Sequence, residues 1–264
     1  MQRFRSGPEL VAVPLGLLIL WELMGRLDML PAGLVPAPSQ VFDGWTVWAF
    51  GKDAGGFNSY SGTWVQAVIF SGQRVLQGFL LATAIGAPLG ILIGWSSAVR
   101  RYVDPTLQSL RPIPITAWLP FSVALFGVHD SGAIFLIALG AFYPILVNAT
   151  HGAEEVSTNL LRAARMLGAS DRQILFRVVF PNALPSVLTG MRLGMGVAWT
   201  AVIVAELVAV KSGLGYVIWD AYYVGRMDIV LADMATIGLF GFLSDQIIVL
   251  IMKRTLTWRP GHER

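Results

Sequence analysis

The chain has 264 residues, of which 55% are hydrophobic and 13% charged, with a formal net charge of +3. An ordinary soluble domain is about 25% charged, so this composition and a mean hydropathy of +0.64 exclude a soluble enzyme, a disordered tail and a nucleic-acid-binding domain. The pI of about 9.4 suits the basic flanks of membrane spans, and the absence of cysteine removes disulfides, thiol catalysis and Cys-ligated metals while leaving the redox compartment open.

A helix that crosses a bilayer needs about 20 mostly apolar residues. The first candidate, residues 11–24, is flanked by Arg3, Arg5 and Arg26. No Ala-x-Ala-like site follows it, so it reads as an uncleaved anchor and first span rather than a signal peptide. A long segment then runs to Arg74. Pro31, Pro36 and Pro38 break it, Ser39 is the expected N-cap of a short amphipathic helix through about Phe50, and the Gly/Ser/Asn-rich stretch 51–62 reads as a loop. The second span is expected at 75–95, where Gly86, Gly90 and Gly94 form a small-residue ladder suited to close helix packing.

The third apolar segment, 113–128, is interrupted by proline: Pro112 and Pro114 at its start, Pro120 within it. Proline frees backbone groups that lipid cannot satisfy, so this stretch is expected to face protein or a water-filled cavity. That makes Thr116 and Trp118 pathway candidates; the rival reading is a simple kink near the inner end. The fourth span is expected at 133–150, and the Asn148-Ala149-Thr150 sequon at its end is a coincidence of sequence. The fifth follows at 184–210, with Gly190 and Gly194 on one face, and the sixth at 229–252.

Placing the N-terminus in the cytoplasm puts thirteen Lys and Arg on the inner side: Arg3, Arg5, Arg100, Arg101, Arg111, Arg162, Arg165, Arg172, Arg177, Lys253, Arg254, Arg259 and Arg264. Five lie on the outer side: Arg26, Lys52, Arg74, Lys211 and Arg226. The bias predicts N-in and C-in. Trp21, Trp95, Trp219 and Trp258 near span ends suit an interfacial belt. Arg192 lies inside the fifth span and Asp245 inside the sixth, at a similar rise from the cytoplasmic ends of two antiparallel helices. An ion pair between them is expected, with Arg192 facing the pathway as the rival.

No P-loop, H-E-x-x-H, G-x-S-x-G or Asp-rich prenyl-diphosphate motif occurs, and His129, His151 and His262 are scattered. No catalytic residue and no metal site is therefore assigned. The chain reads as a single membrane domain, 1–264. It has an anchor span and outer segment (1–74), a five-helix core (75–252), an inner loop (151–183) and a tail (253–264). A transport role is favoured, with a small secondary transporter or a membrane-embedded enzyme as the alternative.

The inner loop carries the most specific signal. A short helix over about 158–167 is expected to end at Gly168, in the left-handed C′ position. Ser170 and Gln173 form a capping box for a second helix, which Pro181 is expected to stop. Leu160, Ala164 and Leu167 share one face, Ile174 and Val178 another, with Arg162 and Arg165 away from the first. The bland reading is an amphipathic loop lying on anionic lipid.

This loop resembles the signature of permease subunits of binding-protein-dependent ABC importers: Glu-Ala-Ala, three residues, Gly, nine residues, Ile-x-Leu-Pro. Ala163 and Ala164 match the alanines, Gly168 the glycine, and Val178, Phe180 and Pro181 the last three positions, while Arg162 replaces the usual Glu. Residues 110–120, 126–127, 141–152, 185–192, 205–206 and 213–216 resemble the nitrate/sulfonate/taurine/bicarbonate branch of these permeases. Residues 218–222 are similar to its nitrate and bicarbonate members.

The resemblance implies an all-α, six-span MetI-like bundle of the type I importer class in the bacterial inner membrane. It implies that the loop, with Arg162, Ala163, Ala164, Arg165, Gly168, Ser170, Asp171, Val178 and Pro181, is a coupling element docking on a separate ATPase. Implied partners are a second permease copy, two ATP-binding cassette subunits, a periplasmic substrate-binding protein and membrane lipid, with no nucleic acid. No cofactor is implied for this chain; ATP and Mg belong to the ATPase. The implied cargo is a small anion.

Overall fold

The computed structural model describes residues 9–27, 29–31, 33–51 and 60–256. Arg3, Arg5, Lys52, Trp258, Arg259, His262, Arg264 and most of the 51–62 loop lie outside them.

The first apolar segment is helix α1 (Glu9–Arg26), and α2 (Pro38–Phe50) follows the proline-rich turn. The N-cap of α2 is Ala37, not the expected Ser39. Pro38 takes the first helical position, where its missing N–H costs nothing, and the Ala37 N–H donates to Gln40 Oε1 at 2.9 Å. Ser39 instead ties α2 to α1: its backbone N–H and hydroxyl donate to the Glu22 carboxylate at 3.0 and 2.9 Å.

Helix α3 (Trp64–Trp95) begins at Trp64 rather than at residue 75. Arg74, expected outside the second span, lies within this helix and is only 4% exposed. It does not end the apolar run because the buried carboxylate of Glu206 and the exposed one of Asp130 neutralise it. Helix α4 (Ser97–Leu110) occupies a segment with no sequence expectation of helix, and the Ser96 hydroxyl caps it by accepting from the Val99 N–H at 3.4 Å.

The expected third span is not one crossing helix. Pro112 and Pro114 leave a 3₁₀ turn (Ile115–Trp118) followed by α5 (Leu119–Phe126). Twelve residues rise only about 18 Å at 1.5 Å each, short of the roughly 30 Å hydrocarbon core.

Helix α6 (Asp130–Glu154) lies between α3 and α9 (Phe180–Val208). The glycine ladders explain the close fit. A Cβ on Gly90 would come within 2.7 Å of the Ala149 Cβ, and one on Gly94 within 2.7 Å of the Ala153 Cβ, both on α6. Gly190 and Gly194 of α9 make the same kind of approach to Asn148 and Ile145 of α6.

Between α6 and α9 come α7 (Thr158–Met166) and the short α8 (Asp171–Ile174). Pro181 does not stop the second helix. A π turn (Leu175–Val179) joins α8 to α9, and the helical run is continuous over Asp171–Val208. The Phe180 N–H reaches back to the Leu175 carbonyl, and this widened turn accommodates the donor that Pro181 lacks. The fifth span therefore starts well before residue 184. Helix α10 (Leu214–Tyr223), also without a sequence expectation, leads into α11 (Met227–Thr255).

Among the described residues four helices are long and apolar enough to cross a membrane: Trp64–Trp95, Asp130–Glu154, Asp171–Val208 and Met227–Thr255. The main core gathers Phe79, Ile137, Ile145, Trp199, Val202, Leu214 and Ile229, and a second cluster around Ile91, Ala149, Ile174 and Val187 anchors the inner loop. Leu239, Phe242, Leu243, Ile247 and Leu250 of α11 point outward, as lipid or a partner helix requires and water does not.

Candidate functional site

Hydrogen bonds close the corner between α7 and α8 on both sides. Gly168 has φ +77°. Its N–H donates to the Arg165 carbonyl at 2.9 Å, and the Ala169 N–H to the Ala164 carbonyl at 3.1 Å. That pair of bonds is a Schellman closure, which satisfies the last carbonyls of α7. Two residues on, the Ser170 N–H donates to Gln173 Oε1 at 2.8 Å and the Gln173 N–H to Ser170 Oγ at 3.4 Å, the reciprocal capping box that opens α8. Asp171 adds a carboxylate to the first turn of α8, where the helix dipole favours it.

The inward face of this corner differs from the expected one. Leu161, Ala164, Ala169, Leu175 and Val178 pack on the second core cluster. Leu160 is exposed, and Met166 and Leu167 are 89% and 88% exposed. Arg162, Ala163 and Arg165 are also exposed, and Pro181 is half-buried. The tip therefore offers two bare apolar side chains flanked by guanidinium groups.

The three pathway candidates separate. Trp118 lines a cavity of about 530 Å³ walled by Ile113, Ile115, Leu139, Tyr143 and Val197, with Arg111 and Asn148 as polar members. Thr116 is exposed and is not among its lining residues. Arg192 is not among them either: its guanidinium makes two hydrogen bonds to Asp245, at 2.5 and 2.8 Å.

A second polar assembly lies at the opposite end of the bundle from the loop. Glu206, fully buried near the end of α9, accepts from Ser71 Oγ at 2.8 Å, Arg74 Nη1 at 2.7 Å and the Gly215 N–H at 2.8 Å. Arg74 also donates to Asp130 Oδ1 at 2.9 Å and to the Ser212 carbonyl and hydroxyl at 2.8 and 2.6 Å. The Leu214 N–H donates to Ser71 Oγ at 2.8 Å. Helices α3, α6, α9 and α10 thus meet at one ion pair. Gly213 makes the turn possible: its φ is +103°, and a Cβ there would strike the Glu206 carboxylate. Asp233 of α11 is also fully buried, and neither of its oxygens has a hydrogen-bond partner among the described residues.

Glu206 and Asp233 were passed over as buried charges, although the sequence carried a signal for them. They are ionisable residues inside apolar runs, the same signal that singles out Arg192 and Asp245. Arg74 gave no such signal, because it marks the boundary of a span whose true start lies earlier.

A family model for the binding-protein-dependent transport system inner membrane component matches residues 86–257. The taurine transport system permease protein of Escherichia coli is 34% identical over 242 residues, covering 92% of this chain and 86% of that protein. The nitrate import permease protein of Synechocystis is 33% identical over 237 residues, covering 89% and 84%. The fold is similar to that of a chain in the inward-facing MetNI methionine ABC transporter, with a TM-score of 0.65 at 20% identity over 72% of this chain and 95% of that one. With that agreement across most of its length, the chain belongs to the family of binding-protein-dependent transport system inner membrane components and is an inner-membrane ABC transport permease.

Proposed function

We propose that this permease forms the pathway of an ATP-driven importer for a small oxyanion, as a homodimer served by two separate ATPase subunits and a periplasmic binding protein. ATP and Mg are bound by the ATPase, and none of this chain's residues takes part in hydrolysis. The observation that carries the reading is the corner at Gly168. A turn closed by a Schellman motif and a capping box presents Met166, Leu167, Arg162 and Arg165 outward. Bare apolar side chains ringed by guanidinium groups suit a groove on another protein with carboxylates at its rim. A lipid-surface loop needs no such rigid frame. In a dimer, closure of the two ATPases draws the two corners together, and the continuous helix Asp171–Val208 carries that movement into the bundle.

The N-in, C-in arrangement with six crossings rests on the charge bias. With Arg74 buried in α3, the outer basic set shrinks to Arg26, Lys52, Lys211 and Arg226, which sharpens the asymmetry. Helix α1, about 27 Å long at 1.5 Å per residue, is read as one of the two crossings beyond the four long helices; the other is the whole proline-broken segment 113–128, in which non-helical residues flank the roughly 18 Å of helix in Ile115–Phe126. Relatives named for taurine and nitrate transport support an oxyanion as cargo.

The test is reconstitution of the permease with its ATPase and binding protein in proteoliposomes. Uptake of labelled taurine, nitrate and bicarbonate is measured against ATP hydrolysis. Uptake of at least one, dependent on both partners, is the expected result. Uptake by the permease alone, driven by an ion gradient, would instead establish a secondary transporter.

A further inference from the structure

We infer that Arg111, with Tyr143 beside it, forms an oxyanion-binding station at the inner end of the large cavity, and that the cargo is held there before release. The inference rests on the importer reading above and assigns a site within it.

Two cavities meet at Arg111. The larger, of about 530 Å³, and a smaller one of about 110 Å³ share three lining residues, Arg111, Tyr143 and Val147. The larger is walled mainly by apolar side chains, and among the described residues Arg111 is the one charged residue that lines it, with no carboxylate. A single cation lining such walls focuses its field on the space it faces. The smaller cavity is different. It contains Arg100, Asp104, His151 and Glu154. Arg100 and Glu154 are ion-paired there, His151 lies 3.5 Å from Glu154, and Asp104 accepts from Gln108.

The guanidinium of Arg111 and the hydroxyl of Tyr143 have no hydrogen-bond or ionic partner among the described residues. The same is true of the Trp118 indole N–H, which also lines the larger cavity. Asn148 donates once, to the Pro144 carbonyl at 2.8 Å, and keeps one amide hydrogen in reserve. Unengaged N–H and O–H donors gathered without a carboxylate match a planar or tetrahedral oxyanion. Arg192 does not serve this purpose, because Asp245 already satisfies it. A phospholipid headgroup offers the same phosphate-type oxygens, so the test must separate it from cargo.

The complete complex is reconstituted in two kinds of vesicle, phosphatidylcholine alone and phosphatidylcholine with phosphatidylglycerol, and uptake of labelled taurine and nitrate per ATP hydrolysed is measured. Arg111→Gln is expected to lower uptake per ATP about tenfold in both, the loss of a charge-assisted hydrogen bond. Binding-protein-stimulated hydrolysis is expected to stay within about twofold of wild type. Arg111→Lys keeps charge without the fork and is expected to restore uptake partly. Tyr143→Phe is expected to raise the KM for uptake about threefold.

Wild-type uptake per ATP in Arg111→Gln overturns the inference. A defect confined to phosphatidylglycerol vesicles also overturns it, in favour of a lipid site. If Arg111→Gln fails to assemble, Arg111→Lys and Tyr143→Phe decide, and wild-type kinetics in both overturn it. Wild-type complex that hydrolyses ATP on binding-protein addition yet imports neither anion refutes the oxyanion reading itself, a result distinct from failure of the Arg111 variants.

Discussion

Arg192 of α9 and Asp245 of α11 are joined by two hydrogen bonds, Nε to Oδ1 at 2.5 Å and Nη2 to Oδ2 at 2.8 Å. Beside it, the Trp199 indole N–H donates to Ser244 Oγ at 2.8 Å. The exposed side of helix α11 is mainly apolar between its ends, and this polar seam sets its register against α9. Polar pairs between membrane helices contribute about 1 kcal/mol, roughly a fivefold change in a folded population. Arg192→Gln and Asp245→Asn are each expected to lower the yield of assembled permease by about that factor. The double exchange Arg192→Asp, Asp245→Arg is expected to recover part of it, as read by size-exclusion yield from membranes. Additive losses with no recovery would show that the pair does not hold the two helices.

This pair was readable from rise per residue along two antiparallel helices. So was the loop, because Gly168, Ser170 and Gln173 act through local backbone chemistry that a short sequence window contains. The second and fifth span boundaries were not. Arg74 looks like a flank until its partners, 56 and 132 residues away, bring carboxylates to it. Pro181 looks like a stop until the π turn before it is seen. Arg111 shows the same limit from the other side: sequence counts it as one of thirteen inner charges, and only the cavity reveals what it faces. Trp118 and Thr116 sit two residues apart on the same broken segment, yet only Trp118 lines that cavity.

The Arg74–Glu206 pair is sealed from solvent, with 5% and 0% of the two side chains exposed. Removing one member of such a pair strands the other and costs about 3–5 kcal/mol. For a protein of this size that is a fall in Tm of roughly 10 °C. Glu206→Ala is expected to show it in a thermal-melt assay of detergent-purified complex. Glu206→Gln, which retains an acceptor for Arg74, is expected to lose about half as much. Equal melting temperatures for the two variants would mean that hydrogen bonding to Arg74 is not what stabilises this end of the bundle.

Tyr60, outside the long helices, donates its hydroxyl to Asp220 Oδ2 at 2.6 Å. Burial first, then the hydrogen bond and charge of Asp220, raise its pKa well above the ordinary tyrosine range. The folded state therefore holds the phenol proton more tightly than the unfolded chain does. The stabilisation is fully present below about pH 10, the unfolded value, and declines as pH rises above it, because the unfolded state alone gains from ionisation. Tyr60→Phe is expected to reduce stability at pH 8 by about 1 kcal/mol and to flatten the alkaline fall. A wild-type alkaline profile in Tyr60→Phe would assign that fall to other groups.

Gly168 gives the cleanest test of the loop, since its φ of +77° is paired with empty space. A Cβ built there meets nothing within 4 Å. A side chain at this position introduces backbone strain and no clash. For a β-branched residue the strain is roughly 1–2 kcal/mol. It falls on an exposed corner, whereas the bundle is held by the α3, α6 and α9 interfaces and the Arg74–Glu206 pair. Gly168→Val is therefore expected to insert and dimerise normally. The strain relaxes by opening the Schellman closure between Arg165 and Ala169, which turns α7 relative to α8 and misplaces Met166 and Leu167. In the reconstituted importer, binding-protein-stimulated ATP hydrolysis and uptake are both expected to fall about tenfold, the equivalent of 1.4 kcal/mol of lost docking. Gly168→Asn, which tolerates the left-handed region, is expected to stay within about threefold of wild type. If the loop merely rests on lipid, Gly168→Val and Gly168→Asn lose little and to the same degree. Normal assembly of Gly168→Val with wild-type hydrolysis and uptake would remove the coupling role from this corner.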